Sequence, residues 1–295
     1  MELAIHNWMR AESLETTLKR ISALGYEYLE IQGSPEIYNT KEVKQLLNKY
    51  HVKCWGSVTL MLEKRNLLAK DEQQRVASVQ YVKDVVKMVS DLDGKIVSVV
   101  PATVGKIIPD ARPEQEWQWA VECMKEIYAY AESLNIKIGI EPINRFETYF
   151  INRGDQALAL AEATGPNCGV CLDVFHMNIE EDDPITMLHR AKDRLVGVHV
   201  ADNNRMAPGM GQLDWQKIIE TLKEINYDKV LSVEFCPPLD RTPANPYKNS
   251  IDLDPIGLSA EQKKFLEDHG SSAITDEFYT MLTQKSVETL RPLIS

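Results

Sequence analysis

The stretch from Ile136 to Phe235 carries four short apolar runs: IKIGIE (136–141), CGVCLD (168–173), LVGVHV (195–200) and VLSVEF (230–235). Each brings an ionisable residue to or near its end: Glu141, Asp173, His199 and Glu234. These residues recur about 26 to 35 positions apart, the length of a strand, a helix and two loops. If the runs are parallel strands, all four groups reach one C-terminal rim, where barrel enzymes place their chemistry. Burying three carboxylates and an imidazole together without a cation would be costly. The pattern predicts a metal at one end of a barrel.

Upstream, ELAIH (2–6), YEYLEI (26–31), VKCWGSV (52–58) and KIVSVV (95–100) supply four more strand candidates. Helical patterns alternate with the strands: Leu14 to Leu24, Thr40 to Tyr50, Asp71 to Ser90, Glu114 to Leu134, Gly154 to Ala163, Pro184 to Ala191, Trp215 to Ile225 and Thr275 to Leu290. Thr40 reads as a cap, Gly25 as a stop after Leu24, and Asp214 as a cap before Trp215. This rhythm predicts an α/β chain folded as one (β/α)8 TIM barrel over residues 1–295, with an open doubly wound sheet as the rival. One segment breaks it. Residues 236–273, rich in proline, far exceed the usual βα loop and read as an insertion on the rim after strand 8, with a short helix around Ala260 to Glu267. Such a loop is commonly a lid, a substrate wall or a subunit contact.

The composition, 44% apolar and 26% charged over 295 residues, is that of a globular protein with ample core. A net charge of −11 argues against nucleic-acid or anionic-membrane partners, which need basic surface. The N-terminus lacks a basic-then-apolar leader and no run approaches about 18 apolar residues, so the expected compartment is the cytoplasm. Five cysteines, an odd number, fit a reducing environment. Cys168 and Cys171 form a CxxC, but inside a strand residues three apart face opposite ways, and no second pair completes a zinc site.

The quartet is a hard, oxygen-rich donor set that suits Mn²⁺, Mg²⁺ or Co²⁺ better than Zn²⁺. Four protein ligands leave two positions of an octahedral ion for adjacent oxygens of a hydroxyketone, whose intervening C–H is acidified. The ion would stabilise the enediolate left by proton removal. Glu141 and Glu234 come from different arcs of the rim, so they are candidate bases on opposite faces of a bound sugar, an arrangement that inverts a stereocentre. A single base would instead isomerise or eliminate, and both glutamates could be ligands alone with another base acting.

Around the quartet, EPINRFE (141–147) offers Glu147, either to a substrate hydroxyl or to Arg145 or Arg153. LDVFHMN (172–178) puts His176 in the loop expected after strand six, and ADNNRMAPGMGQLDW (201–215) offers Arg205, with Gly209 and Gly211 permitting a tight turn. No GxxxxGK[ST] or GxGxxG phosphate loop exists, which points to an unphosphorylated substrate. His6 and Trp8 are candidates for the barrel mouth, His6 as a substrate contact. Trp55 reads as core, and His51, His189 and His269 as surface residues.

EPINRFE, LDVFHMNIEE, the run from HVADNNR through PGMGQLDW, and the closing VEF resemble the metal-dependent, xylose isomerase-like sugar isomerase/epimerase barrels, most closely the D-tagatose and D-psicose 3-epimerase type. The resemblance implies that Glu141, Asp173, His199 and Glu234 bind Mn²⁺ or a similar ion. It further implies that Glu141 and Glu234 exchange the C3 proton, and that Glu147, His176 and Arg205 contact the sugar. Two stretches depart from that pattern, VVPATVGKI (99–107) and the insertion after Glu234. The same superfamily includes inosose isomerases and dehydratases, and the catalytic subunits of C-glycoside deglycosidases.

A metal-dependent ketose 3-epimerase or isomerase is the leading expectation, with a small-molecule sugar as substrate and a homo-oligomeric assembly. A lyase of the same superfamily, with a second subunit near the insertion, is the alternative, and a non-catalytic sugar-binding barrel the third. Endonuclease chemistry would want more histidines than the six present.

Overall fold

A computed structural model describes residues 1–251 and 274–295. Eight parallel strands close into a barrel in sequence order: β1 (Glu2–His6), β2 (Tyr28–Gly33), β3 (Lys53–Thr59), β4 (Ile96–Val99), β5 (Lys137–Ile140), β6 (Gly169–Asp173), β7 (Leu195–Val200) and β8 (Val230–Val233), with β8 pairing back onto β1. Between them run α1 (Leu14–Ala23), α2 (Thr40–Tyr50), α3 (Glu72–Asp91), α4 (Pro113–Ser133), α5 (Gly154–Thr164), α6 (Val174–Glu180), α7 (Pro184–Ala191) and α8 (Trp215–Glu224), and α9 (Asp276–Ile294) follows β8. The expected TIM barrel is the observed one. Of the residues expected to form a rim insertion, 236–251 hold no helix or named strand; the helix anticipated around Ala260 to Glu267, and His269, fall outside the described residues.

The helix starts follow from local chemistry. Asn39, not Thr40, caps α2, its side chain accepting from the Lys41 and Glu42 amides, and Asp214 caps α8 through the Lys217 amide. The start of α6 departs from expectation. LDVFHMN is not a loop: Asp173 at the end of β6 accepts from the Phe175 amide, and the chain turns at once into a helix that carries His176. Seven residues are too few for helical periodicity to show in sequence.

Alternation along the strands sorts side chains between the helical shell and the barrel interior. Ala4, Trp55, Ile96 and Val230, with Tyr28 and Val196 against them, form an apolar cluster separate from the main core. Because its members come from six different strands, it plugs the N-terminal end of the barrel. Two positions further along, the interior becomes polar: His6 follows Ala4, Ser98 follows Ile96, and Ser232 follows Val230. Two residues beyond that come Trp8 and Glu234. The strands thus carry an apolar floor, a buried polar layer and a reactive mouth. Two register shifts adjust this pattern: Leu29 lies opposite Cys54 but Glu30 opposite Gly56, and Val170 opposite Leu195 but Cys171 opposite Gly197.

Among the described residues, no helix is long and apolar enough to cross a membrane. None of the five cysteines forms a disulfide, Cys168 and Cys171 included, and all but Cys236 are buried.

Candidate active site at the barrel mouth

Glu141 and Glu234 stand one residue past β5 and β8, Asp173 ends β6, and His199 is the penultimate residue of β7. All four are buried. His199 Nδ1 lies 2.8 Å from Glu141 Oε1 and 3.5 Å from Glu234 Oε2. Ligand atoms of Glu141, Asp173 and Glu234 lie within 4.8 Å of one another, as do those of His6, His199 and Glu234. The spacing-based quartet is therefore brought together, with Glu234 shared between two overlapping groups.

The electrostatics are those of an anion-rich pocket. Burial and the nearby Glu234 carboxylate push Asp173 up to about 8. Burial also acts against charge on Glu234, but His6 and His199 outweigh it and hold Glu234 below the usual carboxylate range. On His199 burial is again opposed, here by Cys171, Glu141, Glu30 and Glu234, which together hold the ring well above its ordinary value. Asp173 Oδ2 is buried and, among the described residues, has no hydrogen-bond partner. Convergent oxygen donors, one orphaned buried carboxylate oxygen and an imidazole nitrogen fit a hard divalent cation.

Each candidate base is held by one oxygen. Trp8 Nε1 donates to Glu234 Oε1 at 3.0 Å, and Ser98 Oγ donates to Glu141 Oε2 at 2.7 Å. Above them opens a cavity of about 400 Å³ lined by Glu141 and Glu234, by Trp8, and by the polar trio Glu147, His176 and Arg205. The opposite wall is aliphatic: Val58, Leu60, Met61, Leu62, Val100 and Val104.

The trio is built by short-range bonds. His176 Nδ1 accepts from the Asn144 backbone amide at 3.2 Å, which leaves its proton on Nε2. Burial, and then the Arg205 charge, hold this ring well below its ordinary value and hence neutral. Glu147 Oε1 accepts from Asn144 Nδ2 and from Arg205 Nη1, both at 2.7 Å, whereas Arg145 pairs with Glu180 and Arg153 with Asp155. The Arg205 guanidinium also stacks 4.7 Å from the Phe175 ring centre.

The loop that delivers Arg205 is organised by Asp202, fully buried. Its carboxylate accepts from the Asn203, Gly209 and Leu213 amides and from Trp215 Nε1. Gly211 is required there: a Cβ would meet Asp202 Oδ1 at 2.1 Å. On the aliphatic side, three rim loops are joined through their backbones. The Leu67 amide donates to Pro101 O, the Val104 amide to Met61 O, and the Gly105 amide to Glu147 O at 2.7 Å.

His6 is placed differently from the sequence expectation. Fully buried, it lies beneath the cavity rather than on its wall, its ring edge-on to His199 with centroids 4.6 Å apart. Trp8, two residues past the end of β1, lines the mouth instead. Trp55 is core, and His51 and His189 are exposed. Sequence reasoning also passed over Glu30 on β2, now found beside His199. The available signal was a glutamate between Leu29 and Ile31 in a strand buried on both faces.

Fold and mouth together define a (β/α)8 barrel with a cation-type donor cluster at its C-terminal rim. The chain belongs to the xylose isomerase-like TIM barrel family, whose sequence model matches residues 18–253. It is 31% identical over 239 residues to a D-psicose 3-epimerase of Agrobacterium fabrum, spanning 78% of this chain and 81% of that protein. With a D-psicose 3-epimerase of Enterocloster bolteae it shares 30% identity over 229 residues, 74% of this chain and 75% of the relative. A solved D-psicose 3-epimerase from Clostridium cellulolyticum H10, in a structure with D-tagatose, superposes with a TM-score of 0.81 at 23% identity over 100% of both chains.

Proposed function

We propose that this chain is a divalent-metal-dependent ketose 3-epimerase acting on an unphosphorylated keto sugar, with Glu141, Asp173, His199 and Glu234 as ligands. The observation that carries this reading is that Glu141 and Glu234, from β5 and β8, both reach the floor of one cavity beside a cation-type donor cluster. The names of the relatives, D-psicose 3-epimerases, agree with it. Mn²⁺, or Mg²⁺ or Co²⁺ in its place, is the ion that suits so oxygen-rich a set. When bound, it would supply a Lewis acid that stabilises charge on the substrate's keto oxygen after proton loss.

The chain's own groups supply the rest. Ser98 and Trp8 each fix one oxygen of a glutamate, and the other oxygens, Glu141 Oε1 and Glu234 Oε2, face His199 Nδ1, so both carboxylates are held in place at the cavity floor. One removes the proton from the carbon beside the carbonyl and its counterpart delivers a proton to the opposite face. His176 Nε2–H donates to a substrate oxygen, and the Arg205–Glu147 pair orients a hydroxyl. The aliphatic wall excludes water from the exchanging carbon. A cytoplasmic home is in keeping with five cysteines that form no disulfide.

A second reading is favoured by that same wall. A ketohexose carries hydroxyls along its length, whereas Val58, Leu60, Met61, Leu62, Val100 and Val104 suit an apolar substituent, as on a 3-keto glycoside that would undergo elimination. Incubating Mn²⁺-loaded protein in D₂O with ketohexoses, inososes and 3-keto glycosides separates the two. Deuterium incorporation with an otherwise unchanged product mass supports epimerisation, loss of water or aglycone supports the lyase, and no exchange with any substrate overturns both.

A further inference from the structure

Glu30 belongs neither to the donor quartet nor to the cavity wall, yet it is 1% exposed inside the barrel. A buried carboxylate needs a reason. Its two oxygens have different partners: Oε2 accepts from Ser232 Oγ at 2.5 Å, and Oε1 faces His199 Nε2 at 3.3 Å. His199 turns its other nitrogen, Nδ1, to Glu141 and Glu234. The imidazole therefore sits between carboxylates, with Glu30 below and the two candidate bases above.

An imidazole that ligates a cation is neutral and carries one proton, and a carboxylate on each side would accept it from either nitrogen. Only one tautomer can serve a cation held among Glu141, Asp173 and Glu234, because the lone pair must be on Nδ1. We infer that Glu30 is a positioning residue that holds the Nε2–H tautomer of His199, so that Nδ1 is the ligating atom. This rests on the cation reading proposed above.

Three structural observations carry it. Ser232 occupies Oε2, which directs the remaining oxygen at His199 and keeps the carboxylate from turning away. Opposite Glu30 the β2–β3 register shifts past Trp55, a local irregularity of the kind that re-aims side chains beside functional sites. His6, the other ionisable neighbour, has neither ring nitrogen hydrogen-bonded among the described residues and stands 3.8 Å from Glu30 Oε2, so it does not compete for Oε1. Outer partners that orient a ligating histidine in this way set metal affinity as well as ring direction.

The test compares the unaltered chain with Glu30→Gln, an isosteric change whose amide can also turn its NH₂ towards Nε2 and favour the wrong tautomer. Mn²⁺ affinity is measured by calorimetry, and the His199 tautomer by ¹⁵N-resolved NMR of the metal-free protein at a pH where the ring is neutral. We expect the Mn²⁺ Kd to rise about 10- to 100-fold, with loss of the Nε2–H pattern and an unchanged metal-free melting temperature. Ser232→Ala, which frees Oε2 without removing the carboxylate, should raise Kd less. A Kd within twofold of the unaltered chain overturns the inference, and so does a weakened Kd with the Nε2–H pattern intact, which would make Glu30 only a source of charge. If the unaltered chain binds no Mn²⁺, the cation reading itself fails and this inference with it.

Discussion

The two halves of the barrel mouth differ in kind. The arc from β5 to β8 presents Glu141, Asp173, His199 and Glu234 at its strand ends, and Glu147, His176 and Arg205 in the loops and short helix that follow. The arc from β1 to β4 lines the same cavity with aliphatic side chains and Trp8, and keeps its ionisable pair, His6 and Glu30, in the layer below. One half holds chemistry and the other holds shape. On the proposed reading, proton transfer and substrate choice should be open to change separately in this fold.

The largest expected effect breaks the ionisable arc at its bases. Glu234→Gln or Glu141→Gln should slow solvent-deuterium exchange at the sugar carbon by about 10²–10⁴-fold, read by NMR in D₂O; full exchange in both variants would remove them as bases. Next comes the rigidity of that arc. Asp202→Asn loses charge-assisted acceptance from Trp215 and three amides and should cost about 2 kcal/mol, measured by denaturant unfolding at neutral pH. Burial opposes the Asp202 charge, but those donors outweigh it and place its folded value below the ordinary 3.8. Its contribution is therefore complete above about pH 4 and is lost as pH falls through the lowered folded value, so the gap between the two proteins should close in acid. A gap that stays constant would show that the carboxylate's charge is not what matters.

Smaller changes sharpen the comparison from the other side. Val104→Asp on the aliphatic wall should raise KM about tenfold while leaving Mn²⁺ affinity unaltered; a matching loss of Mn²⁺ would mean that the two arcs are not separable. Ser98→Ala removes the donor to Glu141 Oε2 and should cost about 1 kcal/mol of transition-state stabilisation, seen in kcat rather than KM.

Much of the ionisable arc was legible because β5 to β8 each bring their functional residue to or near the end of an apolar run, where a charged side chain stands out. The shape-giving arc was not. Val58, Met61 and Val100 look like any core residue, and only the closed barrel shows that they face a cavity. Glu30 was missed because it sits inside its strand rather than at the end, and its partner Ser232 lies about 200 residues away in a chain whose closure brings β8 onto β1. Of the two residues expected at the mouth on that side, His6 ends β1 one layer below it, and Trp8, two residues further, reaches the cavity. The α6 helix was hidden because its cap, Asp173, was already accounted for as a candidate ligand.

The backbone bonds joining the loops after β3, β4 and β5 bear on how this scaffold could be redesigned. Residues 60–71, 100–112 and 141–153 are laced together through the Val104, Gly105 and Leu67 amides, so no one of them is an independent cassette. A chimera that imports the middle loop alone would leave donors and acceptors unmatched on two borders, and one that imports either outer loop would leave them unmatched on one. The smallest unit that can be exchanged to retune substrate preference is the set of three.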